Sequence, residues 1–269
     1  MINKETKRKA KISELKKLFI HKYFPHRYIP VVSPIYKAVK RQYRTYNYSG
    51  DKVNCVICEQ HFSTWIGKSL VCPGCGSAAR HKRIWLFLNE QARVLDKKLK
   101  VLHIAPWQGL QNKFRGLDNW EYVTADLSAP YVDLKINLTD INLDEGSFDL
   151  VICSHVLEHI LEDRKAMSEI FRILTPDGHA YIQVPYSSSR KTREDFSVTD
   201  PLERMRRFGQ ADHVRKYGVD LKERLESVGF SVNEDYPARE LDEEQREIYG
   251  VGKTGDDNDD DAVFWCSKS

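Results

Sequence analysis

GSFDLVICSHVLEHI at residues 146–160 and EIFRILTPDGHAYIQVP at residues 169–185 decide the fold of this chain. Asp149 to Cys153 is a short, apolar, β-rich run. Met167, Ile170, Phe171 and Leu174 then recur at helical spacing until Pro176-Asp177-Gly178, which stops the helix and releases a second apolar run from Ala180 to Val184. Strand, acidic turn, amphipathic helix and strand make one βαβ unit. Such alternation predicts a parallel α/β sheet with a site at the mouth of the unit.

The pattern continues in both directions. Upstream, strands are expected at Val101 to Ala105 and at Tyr122 to Ala125, the second closed by Asp126, and SAARHKRIWLFLNEQARVL (77–95) reads as a helix leading into the sheet. Downstream, LKERLESVGFSV (221–232) gives a helix stopped by Gly229 and a sixth strand, and AVFWCSK (262–268) gives a last one. The fold expected is α/β and Rossmann-like: a seven-stranded, mostly parallel sheet with helices on both faces.

With 269 residues and 41% hydrophobic content, the chain can bury one α/β core and carry a small appendage. Three parts are expected: a basic N-terminal arm (1–50), a four-cysteine module (51–80) and the α/β domain (81–269), with a polar insert at about 186–217 covering the mouth. The net charge of +3 conceals an asymmetry, because residues 1–50 hold 13 Lys and Arg against 2 Asp and Glu. In that arm Ile12, Leu15, Phe19 and Ile20 fall loosely on one helical face. Tyr43, Tyr46 and Tyr48 interleave with Arg41 and Arg44, so an anionic membrane surface or RNA is a candidate partner. A solvated basic helix leading to an extended arm is the plainer reading. Residues 234–261 carry 12 Asp and Glu against 3 Lys and Arg and read as a solvated acidic loop. No run reaches the roughly 20 apolar residues of a membrane span. The N-terminus lacks the apolar core and cleavage site of a signal peptide, so a cytoplasmic protein is expected, at most peripheral at the inner face of the membrane.

Cys55-Val-Ile-Cys58 and Cys72-Pro-Gly-Cys75, 13 residues apart, have the spacing of a zinc ribbon, in which four thiolates enclose the ion and leave no position for substrate. Structural zinc is the first expectation for Cys55, Cys58, Cys72 and Cys75. Rubredoxin-like iron and two redox pairs are the alternatives. Cys153 and Cys266 read as packing residues.

The segments SFDLVICSHVLEH and EIFRILTPDGHAYIQVP resemble the fourth strand, helix and fifth strand of class I S-adenosylmethionine-dependent methyltransferases. The first loop, VLHIAPWQG, departs from that family's acid and three alternating glycines: His103 stands in the acid's place, Ala105 and Trp107 replace two glycines, and Gly109 is retained. It is similar to a bacterial subgroup with a four-cysteine knuckle and an LHxAP loop, a likeness that covers roughly residues 53–267. The resemblance implies S-adenosylmethionine as cofactor, with Asp126 and Leu127 at the ribose, Asn137 and Leu138 at the adenine, His103, Ala105 and Gly109 in the first loop, and Ser154 and His155 near the sulfonium. Independently, an acid that ends the second strand can accept both ribose hydroxyls, and a strand-ending turn aspartate is the alternative. Asn137 is equally suited to capping a turn.

Methyl transfer needs alignment, and a base only where the acceptor is a hydroxyl. His213 is the first expectation for that base, with Asp212 or Glu158 orienting it. It lies in FGQADHVRKYG (208–218), similar to a segment of the resembling proteins, and a loop anchored by internal polar contacts is the alternative. His159 reads as capping and packing a helix begun by VLEH. The resemblance suggests envelope or exopolysaccharide chemistry, hence a small-molecule or glycan-type acceptor, with lipid linkage in view of the arm. An RNA methyltransferase docking through ribbon and arm, and a non-catalytic cofactor-binding scaffold, are the competing readings.

Overall fold

The computed structural model describes residues 29–237, 240–252 and 262–268, and in it the alternation of strand and helix closes into a seven-stranded sheet. The chain divides into two compact units, Met1–Ser49 and Gly50–Ser269. In the first, helix α1 spans Ile29–Asn47, where the sequence suggested an extended arm; Tyr43 and Tyr46 stand 67% and 81% exposed on it. The expected apolar face at Ile12 to Ile20 lies outside the described residues.

The second unit opens with the cysteine module, whose short strands β1 (Val53–Asn54) and β2 (His61–Phe62) pair antiparallel. Helix α2 (Ala79–Leu86) follows, and its continuation widens into a π-turn over Phe87–Gln91, so the long helix expected to residue 95 is shorter. Strands β3 (Leu99–Ile104), β4 (Trp120–Asp126), β5 (Leu134–Lys135), β6 (Phe148–Ser154) and β7 (Leu174–Gln183) are mutually parallel. After a two-stranded ribbon in the insert, β8 (Arg193–Glu194) with β9 (Arg215–Lys216), come β10 (Ser231–Asp235) and β11 (Val263–Ser267). The sheet order is β10-β11-β7-β6-β3-β4-β5, with β11 antiparallel to both neighbours. Strand order therefore reverses between β3 and β6, where doubly wound sheets collect ligands beyond the carboxyl ends.

The central strands are buried on both faces, so they read as continuous apolar runs: Val101, Leu102, Val151 and Ile152 have no exposed surface. Helix α3 (Gln108–Phe114) follows β3, and α4 (Asp163–Ile173) lays Ala166, Met167, Ile170 and Ile173 against the sheet. Each large apolar side chain so buried contributes about 1.5–3 kcal/mol. Pro176-Asp177-Gly178 does not itself stop α4, which ends at Ile173; those residues lie within β7.

The insert is more ordered than its polar composition suggested. Besides the ribbon it holds α5 (Pro201–Phe208), begun by Asp200 accepting from the Glu203 amide and ended by Gly209 at φ 95°. Helix α6 (Leu221–Glu226) packs near β10, with Gly229 at φ 113° as the expected stop. The acidic stretch contains a helix, α7 (Glu243–Tyr249), closed at its start by a reciprocal Asp242–Gln245 cap. Among the described residues no helix is long and apolar enough to cross a membrane.

Candidate functional site

Two adjacent strands end alike. Ala105 follows β3 at φ 48° and His155 follows β6 at φ 56°, both left-handed, a conformation that costs a non-glycine residue about 1–2 kcal/mol. Each is held there by a backbone bond, Ala105 N–H to Ala125 O (2.7 Å) and His155 N–H to Gln183 O (2.8 Å). These turns open a cleft of about 270 Å³ lined by Arg80, His81, His103, Trp107, Ser154 and His155, among others. A larger groove of about 720 Å³ lies against α7 and Trp65 and takes none of its lining from the ends of β3 and β6.

Of the residues expected at the cofactor, His103, Ala105 and Ser154 line this cleft, whereas Asp126, Leu127, Asn137, Leu138 and Gly109 do not. His103 is buried and its Nδ1 meets the Tyr122 hydroxyl at 2.7 Å; burial lowers its pKa to about 3, so the ring is neutral. Gly109 lies inside α3, and its lack of a side chain serves Trp107: a Cβ there would come within 2.0 Å of the indole. Asp126 Oδ1 accepts from the Ser128 and Ala129 amides at 2.7 Å, the turn role, which leaves Oδ2 as an acceptor. Asn137 Oδ1 likewise accepts from the amide and hydroxyl of Thr139. Leu127 is 72% exposed, and Leu138 belongs to the core.

Sequence reasoning missed Arg80, His81 and Trp107. The His81 imidazole stacks on the indole, with centroids 4.6 Å apart at 11°, and burial, followed by the Arg80 charge, lowers its pKa to about 3. The available signal was a tryptophan in a glycine's place.

Beside the cleft lies a group of acids and histidines. Val156 is followed by a 3₁₀ turn, Leu157–His159, and not by the α-helix start read from VLEH. Glu158 is fully buried, 3.3 Å by Oε1 from His155 Nδ1 and 3.9 Å from His213 Nε2. His213 is buried, does not line the cleft, and places Nδ1 3.1 Å from the Phe208 carbonyl; burial lowers its pKa against the pull of Glu158. Asp212 does not orient His213 as expected. Its Oδ2 lies 3.3 Å from His159 Nδ1, because the two consecutive side chains diverge. Arg215, also fully buried, ties the insert to this turn by donating to the carbonyls of Leu157, Ile160 and Leu161. Tyr217 donates to Asp163 at 2.9 Å. For these two residues the anchoring role accounts for the contacts.

The four cysteines converge. Cys55 and Cys75 sulfurs are 3.7 Å apart, as are those of Cys58 and Cys72, and the Cys75 amide approaches the Cys72 sulfur at 3.4 Å. Hydrogen bonds from Cys58 and the neighbouring thiols hold the Cys55 thiol far below its usual range, while Cys58 and Cys72 are held above theirs. Lys82, buried over the Trp65 ring with Nζ 3.4 Å from the centroid, has its pKa lowered to about 8 by burial.

Residues 72–182, from the second cysteine pair through β7, match the sequence model of the family described as "Methyltransferase domain". That stretch is similar to a methyltransferase domain. Over 127 residues it is also 32% identical to a Mycolicibacterium smegmatis protein named as a probable S-adenosylmethionine-dependent methyltransferase, a match spanning 44% of each chain. Among solved structures it is similar to the YcgJ protein of Bacillus subtilis, at 13% identity and TM-score 0.44 over 70% of this chain and 94% of that one. It is also similar to a 1,6-didemethyltoxoflavin-N1-methyltransferase of Burkholderia thailandensis, at 15% identity and TM-score 0.46 over 71% and 78%. S-adenosylmethionine is the cofactor that this likeness implies. The residues present fit it in chemistry: a strand-end backbone free of bulk at Ala105, and a free carboxylate oxygen on Asp126 at the end of the neighbouring strand.

Proposed function

We propose that the chain transfers a methyl group from S-adenosylmethionine to an oxygen or other nucleophile of a small-molecule or glycan-type acceptor. The observation that carries this reading is His155, held in a left-handed turn on the cleft wall with the Glu158 carboxylate 3.3 Å behind its ring. When bound, S-adenosylmethionine supplies a methyl carbon activated by positive sulfur. The chain's share is alignment, which can supply about 7–11 kcal/mol, and, for a hydroxyl acceptor, a place for its proton. His155 takes that proton in this reading, and Glu158 steadies the charged ring. The sequence favoured His213, but its burial away from the cleft supports His155 in its stead. Arg80, which also lines the cleft, suits an acceptor with acidic or hydroxyl groups.

In the same reading the four cysteines hold one structural zinc. Around an ion with 2.3 Å bonds, tetrahedral sulfurs stand about 3.8 Å apart, close to the 3.7 Å seen for two of the pairs. The exposed Tyr43 and Tyr46 beside Arg44 favour a second reading of α1 as a docking surface for RNA. RNA binding that weakens steeply with salt would support it.

Calorimetric titration with S-adenosylmethionine and S-adenosylhomocysteine tests the main reading. Micromolar binding is expected, weakened at least about tenfold in Asp126→Ala, for a loss of about 1.4 kcal/mol. In a transfer assay His155→Asn loses about a hundredfold to ten-thousandfold in rate with cofactor affinity unchanged. No binding by folded wild type overturns the proposal. Binding without turnover on glycan, small-molecule and RNA pools leaves the scaffold reading.

A further inference from the structure

The fully buried Glu158 has no hydrogen-bond partner on either carboxylate oxygen. His155 approaches Oε1 at 3.3 Å, but without the alignment of a hydrogen bond, so that contact does not satisfy the carboxylate. An ionised carboxylate so placed is costly unless a cation compensates it. No Lys or Arg forms an ion pair with it among the described residues. What surrounds it is imidazole: one ligand atom each from Glu158, His159 and His213 lies within 4.8 Å of the others.

We infer that Glu158, His159 and His213 form a binding site for a divalent transition-metal ion, zinc by the chemistry of the donors, separate from the four-cysteine cluster. Two imidazoles and one carboxylate are a donor set that zinc accepts with a fourth position open. The outer contacts are those a metal site requires. His213 Nδ1 meets the Phe208 carbonyl at 3.1 Å, which leaves Nε2 on the side of Glu158. His159 Nδ1 meets the Asp212 carboxylate at 3.3 Å, and by the same pattern its Nε2 is the ligand. An acceptor behind each ligating ring fixes the tautomer and strengthens the ligand. Donors around a zinc ion with bonds of 2.0–2.1 Å stand about 3.4 Å apart, so the cluster needs only a modest contraction. The site is also tied together across the fold: the Val214 amide donates to the Glu158 carbonyl at 3.0 Å, and Arg215 binds the carbonyls on either side of His159. It lies one side chain from the cleft, through the His155 contact with Glu158, and shares Glu158 with the methyl-transfer reading without requiring it.

The test is metal counting on the full chain after equilibrium dialysis at micromolar free zinc, with unfolding curves recorded on the same samples. Wild type is expected to hold a second equivalent beyond that of the cysteines. His159→Ala, at a partly exposed side chain, and His213→Gln lose that equivalent alone, and Asp212→Asn weakens it about 10- to 100-fold. Should a histidine variant fail to fold, Asp212→Asn decides. A single equivalent in wild type, or a second one that survives in folded His159→Ala or binds undiminished in Asp212→Asn, overturns the site. Titrating the same samples with S-adenosylmethionine reports separately on the methyltransferase reading.

Discussion

The cysteine cluster and the Glu158 cluster are both tight groups of metal-ligand side chains, yet they are assembled in opposite ways. The cysteines come from two knuckles within 21 consecutive residues, the first held in the β1–β2 hairpin. Glu158 and His159 sit on a turn after β6, whereas His213 arrives from an insert more than 50 residues later. The first cluster is written in spacing; the second exists only because Arg215, Tyr217 and the ribbon β8–β9 press the insert onto that turn. A local cluster depends on its ligands for folding, and a tertiary one depends on its scaffold.

The largest effect should therefore follow loss of the cysteines. In Cys72→Ser with Cys75→Ser, or after strong chelation, the module is expected to unfold, because structural zinc contributes about 10–16 kcal/mol of apparent binding energy in zinc-finger peptides. Loss of the β1–β2 hairpin signals by NMR is the readout, and an unchanged unfolding curve would break the comparison. The cleft should feel it too, since the indole of Trp107 packs beside Gly76.

Removing the scaffold's tie comes next. Arg215→Met leaves three carbonyls without this donor and leaves Glu194 and Asp163 with Arg224 as their remaining cation. A hydrogen bond from a charged group is worth about 1.5–3 kcal/mol, so a marked drop in unfolding midpoint is expected with the cysteine cluster intact. If Arg215→Met leaves stability unchanged, the insert is held by something other than this guanidinium.

The smallest effect is one of pH. A hydrogen bond from Arg224, supported by Arg215, holds the Glu194 carboxyl below its usual range. The group is an acid with a lowered folded pKa. Its contribution is thus present above the ordinary carboxylate range and is lost as pH falls through the lowered value. Glu194→Gln should flatten the acid limb of the stability curve measured by denaturant unfolding. An acid limb identical to wild type would show that Arg215 and Arg224 draw their support from Asp163 and Asp220.

Much of this architecture was legible beforehand where the signal is local. Strand-forming runs such as LVIC, the 3.6-residue recurrence in α4 and the CxxC pairs act within a few residues, so their order in the chain is their order in the fold. Composition misled where polar residues find partners far away. The insert and the acidic stretch read as loops, yet each contains a capped helix, because Asp200 and Asp242 satisfy amides that the charge count does not show. The sequence could nominate Asp212, Glu158 and His213 as one catalytic group, but it could not show that Asp212 turns to His159 or that His213 is buried off the cleft.

By itself the sequence determined the strand and helix order of an α/β domain and the convergence of four cysteines, since both follow from backbone periodicity and short loop closure. Tertiary structure alone decided which imidazole lines the cleft, why Gly109 lacks a side chain, and what gathers around Glu158. Those depend on which distant surfaces exclude water together, and no spacing along the chain records that.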